Sequence, residues 1–113
     1  MHPQTWVKVN ATVDCGIAEV VSLLNKLPLV RTVESCQGEP GGRAAFVYFE
    51  AGDWRETGRV LFDELMPKFR EWSDDVRAQL VPFGDHALAR LTFSAEAIPV
   101  VVSALKSLTY ERP

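Results

Sequence analysis

An α+β fold, built as a single mixed but mostly antiparallel sheet with helices on one face, follows from three features of the chain. Short runs of β-branched and aromatic residues alternate with segments whose apolar residues recur at helical spacing. The dipeptide Gly84-Asp85 separates two such runs and reads as a two-residue hairpin turn. The 113 residues are 47% hydrophobic and carry no low-complexity linker, enough for one modest core and a single domain over residues 1–113.

Along the chain, the stretch from Thr5 to Val13 sets Trp6, Lys8 and Asn10 against Val7, Val9 and Ala11, the alternation of a strand. Asp14 stands at a helix N-cap position. Ile17, Val20, Val21, Leu24 and Leu27 follow on one helical face, which Pro28 closes. Val30 to Cys36 reads as a second strand, joined through the loop Glu39-Pro40-Gly41-Gly42 to the apolar run Ala44 to Glu50 as a hairpin. Asp53-Trp54-Arg55-Glu56 has the form of a capping box with an acidic cap. It opens a helix through Val60, Leu61 and Leu65, which Pro67 is expected to kink or end. Val76 to Phe83 and His86 to Phe93 form a second hairpin. Ser94 then caps a last helix, with Pro99 in its first turn and Val101, Val102, Leu105 and Leu108 on one face. The order is β-α-β-β-α-β-β-α.

A formal charge of −3, from 12 basic and 15 acidic residues with no block of one sign, argues against nucleic-acid binding by general phosphate attraction. No apolar stretch is long enough to span a membrane and no signal-peptide pattern opens the chain, so no membrane partner is expected. Cys15 and Cys36 read as reduced thiols, which makes the cytoplasm the expected location.

Thr32-Val33-Glu34-Ser35-Cys36-Gln37-Gly38 is the stretch most like a site, because small polar residues at a strand end beside glycines let backbone N–H groups approach a ligand. A nucleophilic Cys36 needs a base, and the histidines are only His2 and His86. No metal-ligand spacing is present. The glycines lead into a strand rather than a helix, so there is no phosphate-loop fingerprint. The inventory favours binding over catalysis, with no cofactor. Ser35, Cys36, Gln37 and Gly38 would offer hydrogen bonds, Arg31, Arg90 and Arg112 would meet phosphate, and Tyr48 would stack on a base. Arg90 and Thr92 share a strand face opposite Ala89 and Leu91, as Phe46 and Tyr48 share one on theirs. That open face, with Trp6, is equally a surface for a second subunit, so a homo-oligomer is expected.

The T-x-x-S-C-x-G element, with the helix before it and the strand AAFVYFE after it, resembles small bacterial and phage α/β proteins. It is also similar to the T-x-S-S-C-S-G element of the wybutosine-synthesis methyltransferase family, which implies S-adenosylmethionine-dependent modification of RNA or a nucleotide. In this chain Glu34-Ser35-Cys36-Gln37 stands where that family has two serines and a third after the cysteine. Size and the arginine–aromatic inventory further resemble phage anti-defence sponge proteins of the Thoeris-inhibiting kind. That resemblance implies an oligomer sequestering a cyclic-nucleotide immune signal without cleaving it. The leading expectation is therefore non-catalytic binding of a small nucleotide-like anion, the alternatives being the methyltransferase-like enzyme and a structural oligomeric subunit.

Overall fold

Strands with one apolar face set the architecture, because each must turn that face toward a helix to bury it. The computed structural model describes residues 4–6 and 12–111, with side chains from 14 to 109. At the N-terminal end, β1 (Gln4–Trp6) and β2 (Thr12–Asp14) pair antiparallel with each other as a separate ribbon. The single strand expected over Thr5 to Val13 is thus two short ones, and residues 7–11 between them lie outside the described residues. Thr5, Trp6, Thr12 and Val13 are extended, while the alternation over residues 7–11 lies outside the described residues.

Four longer strands form the main sheet: β3 (Val30–Cys36), β4 (Ala45–Ala51), β5 (Arg77–Phe83) and β6 (His86–Phe93). Their spatial order is β3-β4-β6-β5, and every neighbouring pair is antiparallel. The fold is α+β, as the pattern of elements predicts. Both expected hairpins are present, β3 with β4 and β5 with β6. Along β4, Ala45, Val47, Phe49 and Ala51 are fully buried while the residues between them are half-exposed. Ala89, Leu91 and Phe93 continue the same buried face on β6.

The helices close over that face. A 3-10 turn at Cys15–Ile17 leads into α1 (Ala18–Leu24), whose Val20, Val21 and Leu24 join the core. One continuous helical rod then runs through α2 (Trp54–Arg59), a π-helical stretch (Val60–Leu65) and α3 (Met66–Arg70). Asp53 caps it by accepting the Glu56 N–H at 2.9 Å. Pro67 does not end the rod. In the π stretch the Met66 N–H reaches back to the Leu61 carbonyl, and this wider turn makes room for a ring that has no N–H to offer. A second 3-10 turn, Ala95–Ala97, opens α4 (Ile98–Glu111), which packs against α1 and α3.

Thr57 is the fully buried polar residue that ties this rod to the sheet. Its hydroxyl accepts the Ala51 N–H at 2.9 Å and donates to the Asp53 carbonyl at 2.9 Å. Thr57→Val keeps the shape but strands a buried N–H. It is expected to lower unfolding free energy by about 1–3 kcal/mol in chemical denaturation, whereas a merely space-filling threonine would lose almost nothing.

Candidate functional site

The strand-end segment Thr32–Gly38 is held by its own chain. A bulge at Val33 shifts the register of β3, so Glu34 and Cys36 lie on the open face of the sheet. Ser35, opposite Val47, lies on the helix side. The Gln37 N–H donates to Asp14 Oδ2 at 3.3 Å, and the Gln37 side-chain oxygen accepts the Gly16 N–H at 2.7 Å. Asp14 occupies the N-cap position, yet its carboxylate reaches across to β3 instead of capping its own turn. This exchange fastens the start of the first turn to the end of the sheet. Gly38 is buried at φ +67°, and a Cβ there would lie 2.5 Å from the Arg43 carbonyl oxygen. The close backbone approach that glycine permits is made to the opposite arm of the hairpin.

The open face gathers a different set of residues. Register places Cys36, Phe46, Thr92 and Arg77 in one row across the four strands, and Glu34, Tyr48, Arg90 and Gln79 in the next. Phe46 and Tyr48 meet edge to face at 5.6 Å between ring centroids, and the Arg90 guanidinium lies over the Tyr48 ring at 5.6 Å. Arg90 Nε is sealed from solvent without a hydrogen-bond partner among the described residues. Arg77, Ala78, Gln79, Arg90 and Thr92 line a shallow depression of about 380 Å³ on this face. Two guanidinium groups, an amide and a hydroxyl therefore converge on one hollow beside an aromatic ring. Such a donor-rich set suits a phosphate or carboxylate.

Of the residues expected at the site, Tyr48, Arg90 and Thr92 are brought together here, with Cys36 at the end of the neighbouring row. Arg31 lies further along β3 and pairs with Glu50 across the strands. Ser35 faces the helix side, Gln37 and Gly38 are engaged as described above, and Arg112 lies outside the described residues. Arg77 and Gln79 belong to the hollow but escaped the sequence reading. The signal was present: a two-residue turn at Gly84-Asp85 pairs Phe83 with His86, which fixes Gln79 opposite Arg90 and Arg77 opposite Thr92.

His86 sits at the turn end of β6, six residues and about 20 Å from Thr92 in the row of Cys36. It is in no position to act as a base for that thiol. Among the described residues no group of three histidine, cysteine or acidic side chains could hold a metal ion.

Beside Arg77, Asp75 takes over the Ser94 hydroxyl that was expected to cap the last helix. Its Oδ2 accepts the Ser94 N–H at 2.8 Å and the Ser94 hydroxyl at 2.7 Å. These hydrogen bonds, the side-chain one foremost and with help from the Arg77 charge, hold the Asp75 carboxyl below its ordinary range. A depressed carboxylate contributes stability that is complete above its unfolded value and lost as pH falls through its folded one. Thermal melts are therefore expected to weaken below about pH 4, and Asp75→Asn is expected to flatten that dependence; an unchanged acid slope in the variant would refute the clamp.

Comparison of the chain with protein-family models, with curated proteins and with solved structures finds no match.

Proposed function

We propose that the open sheet face binds a small nucleotide-like anion, the phosphate in the Arg77–Arg90 hollow and a planar ring against Tyr48 or Phe46. The observation that carries the reading is Arg90. A guanidinium laid along a sheet, with Nε sealed and no carboxylate paired to it among the described residues, costs stability. An anion in the hollow would supply the countercharge it lacks.

The proposed role is sequestration rather than turnover: among the described residues no histidine lies within reach of Cys36. A cyclic-nucleotide immune signal belongs to the same ligand class. Isothermal titration calorimetry against mononucleotides, cyclic nucleotides and ADP-ribose is the test. Saturable binding that weakens with salt is expected. No binding by any of them would overturn the proposal.

A further inference from the structure

The two edges of the main sheet are protected unequally. β3 carries a bulge at Val33, charged side chains at Arg31 and Glu34, and contacts with β2 at its end, the usual devices against edge pairing. β5 is the other edge, and Ala78, Gln79, Leu80 and Val81 form an uncharged, unbulged run at its centre. Beside it lies a mostly apolar hollow of about 290 Å³ lined by Trp54, Leu80, Pro82 and Ala87, with Asp85 and His86 of the turn at its end. Trp54 is 52% exposed and Phe83, at the end of β5, 66%. Gly58 of α2 leaves this flank thin, its nearest side-chain neighbour being Leu80.

We infer that β5 pairs antiparallel with β5 of a second copy, joining two sheets across a two-fold axis at Gln79. Backbone geometry selects the register. The hairpin turn directs the N–H and C=O groups of Phe83, Val81 and Gln79 toward β6, so those of Ala78, Leu80 and Pro82 face outward. Pro82 has no N–H to offer, which places it where a proline is tolerated on an edge. Setting Ala78 opposite Leu80 of the second copy uses both outward N–H groups on each side and leaves the missing Pro82 donors at the ends of the ladder. It also sets a small residue against a large one on the helix side, and Arg77 against Val81 on the open side, so no like charges face each other. A self-complementary register of this kind points to a second copy rather than an unrelated peptide.

Two measurements test the pairing. Sedimentation equilibrium at micromolar protein is expected to give twice the chain mass, with Val81→Lys shifting the chain to monomer and Val81→Glu tightening the dimer through Arg77 of the second copy. In a Cys15→Ser, Cys36→Ser background, Gln79→Cys is expected to form an intermolecular disulfide on mild oxidation. At a non-hydrogen-bonded antiparallel pair the Cα atoms are about 4.5 Å apart, within bridging range. Val81→Cys should not cross-link, because the two copies of residue 81 are then roughly 14 Å apart. Circular dichroism and thermal melts of each variant check that the monomer fold is intact. A monomeric wild type, Val81→Lys and Val81→Glu acting alike, cross-linking equal at both cysteine positions, or a monomer that takes up extended peptides along β5 would each overturn the pairing.

Discussion

Replacing Gly38 by alanine is expected to lower unfolding free energy by about 2–4 kcal/mol, read as a lower denaturant midpoint with an unchanged slope. Two costs combine. The position has φ +67°, where an L side chain is strained, and the added Cβ would sit 2.5 Å from the Arg43 carbonyl, 2.7 Å from the Ala44 carbonyl carbon and 2.7 Å from Ala45 N. These are backbone atoms at the mouth of a hairpin whose turn the Glu39 N–H closes onto Arg43 at 2.8 Å. They cannot rotate aside as a side chain would. Gly41, three residues on, is the control: its φ is +71°, but nothing lies within 4 Å of an added Cβ. Gly41→Ala should therefore cost only the conformational part, about 1 kcal/mol. Equal losses at the two positions would show that the packing argument fails. Gly16 makes the opposite contrast, since its Cβ would meet the Gln37 side chain, which can move at the cost of one hydrogen bond.

Arg90→Met is expected to separate stability from binding. The substitution keeps a straight apolar stem against Tyr48 and gives up the cation–π contact, worth about 0.5–1 kcal/mol. It also removes a sealed donor without a partner, a relief of about 1–3 kcal/mol. The melting temperature should therefore hold or rise. Binding of a nucleotide-like anion should weaken at least about tenfold, since one hydrogen bond to a charged group contributes roughly 1.5–3 kcal/mol. A clear loss of stability would mean that Arg90 is a structural residue. Unchanged affinity would place the ligand elsewhere on the molecule.

Most of the fold was legible because its elements announce themselves locally. The apolar run Ala44 to Glu50, the alternation of Arg90 and Thr92 with Ala89 and Leu91, the Asp53 cap and the Gly84-Asp85 turn each need only neighbouring residues to be read. What escaped depends on partners distant in sequence. Asp14 and Ser94 have the composition and position of caps, but each bonds a group far along the chain, Asp14 the Gln37 N–H and Asp75 the Ser94 hydroxyl and N–H. Pro67 reads as a kink or an end because a π turn leaves no mark in residue spacing.

The site was legible in part for the same reason. Tyr48, Arg90 and Thr92 follow from alternation within their own strands. The hollow itself required the cross-strand pairing that brings Arg77 and Gln79 beside them. The Thr32–Gly38 segment was conspicuous for its small residues, but in the folded chain Gln37 and Gly38 serve the sheet's own corner.

The strand order β3-β4-β6-β5 also governs how the chain reaches its native state. Two of its three pairings close within hairpins, over short loops and on microsecond timescales. The third, between β4 and β6, must bring Phe49 to Ala89 across the whole helical rod. That single loop closure carries the entropic barrier, so the transition state should hold the β4–β6 seam while the outer strands are still loose. Truncating Val47 or Leu91 is then expected chiefly to slow folding, and truncating Val30 or Leu80 on the outer strands chiefly to speed unfolding.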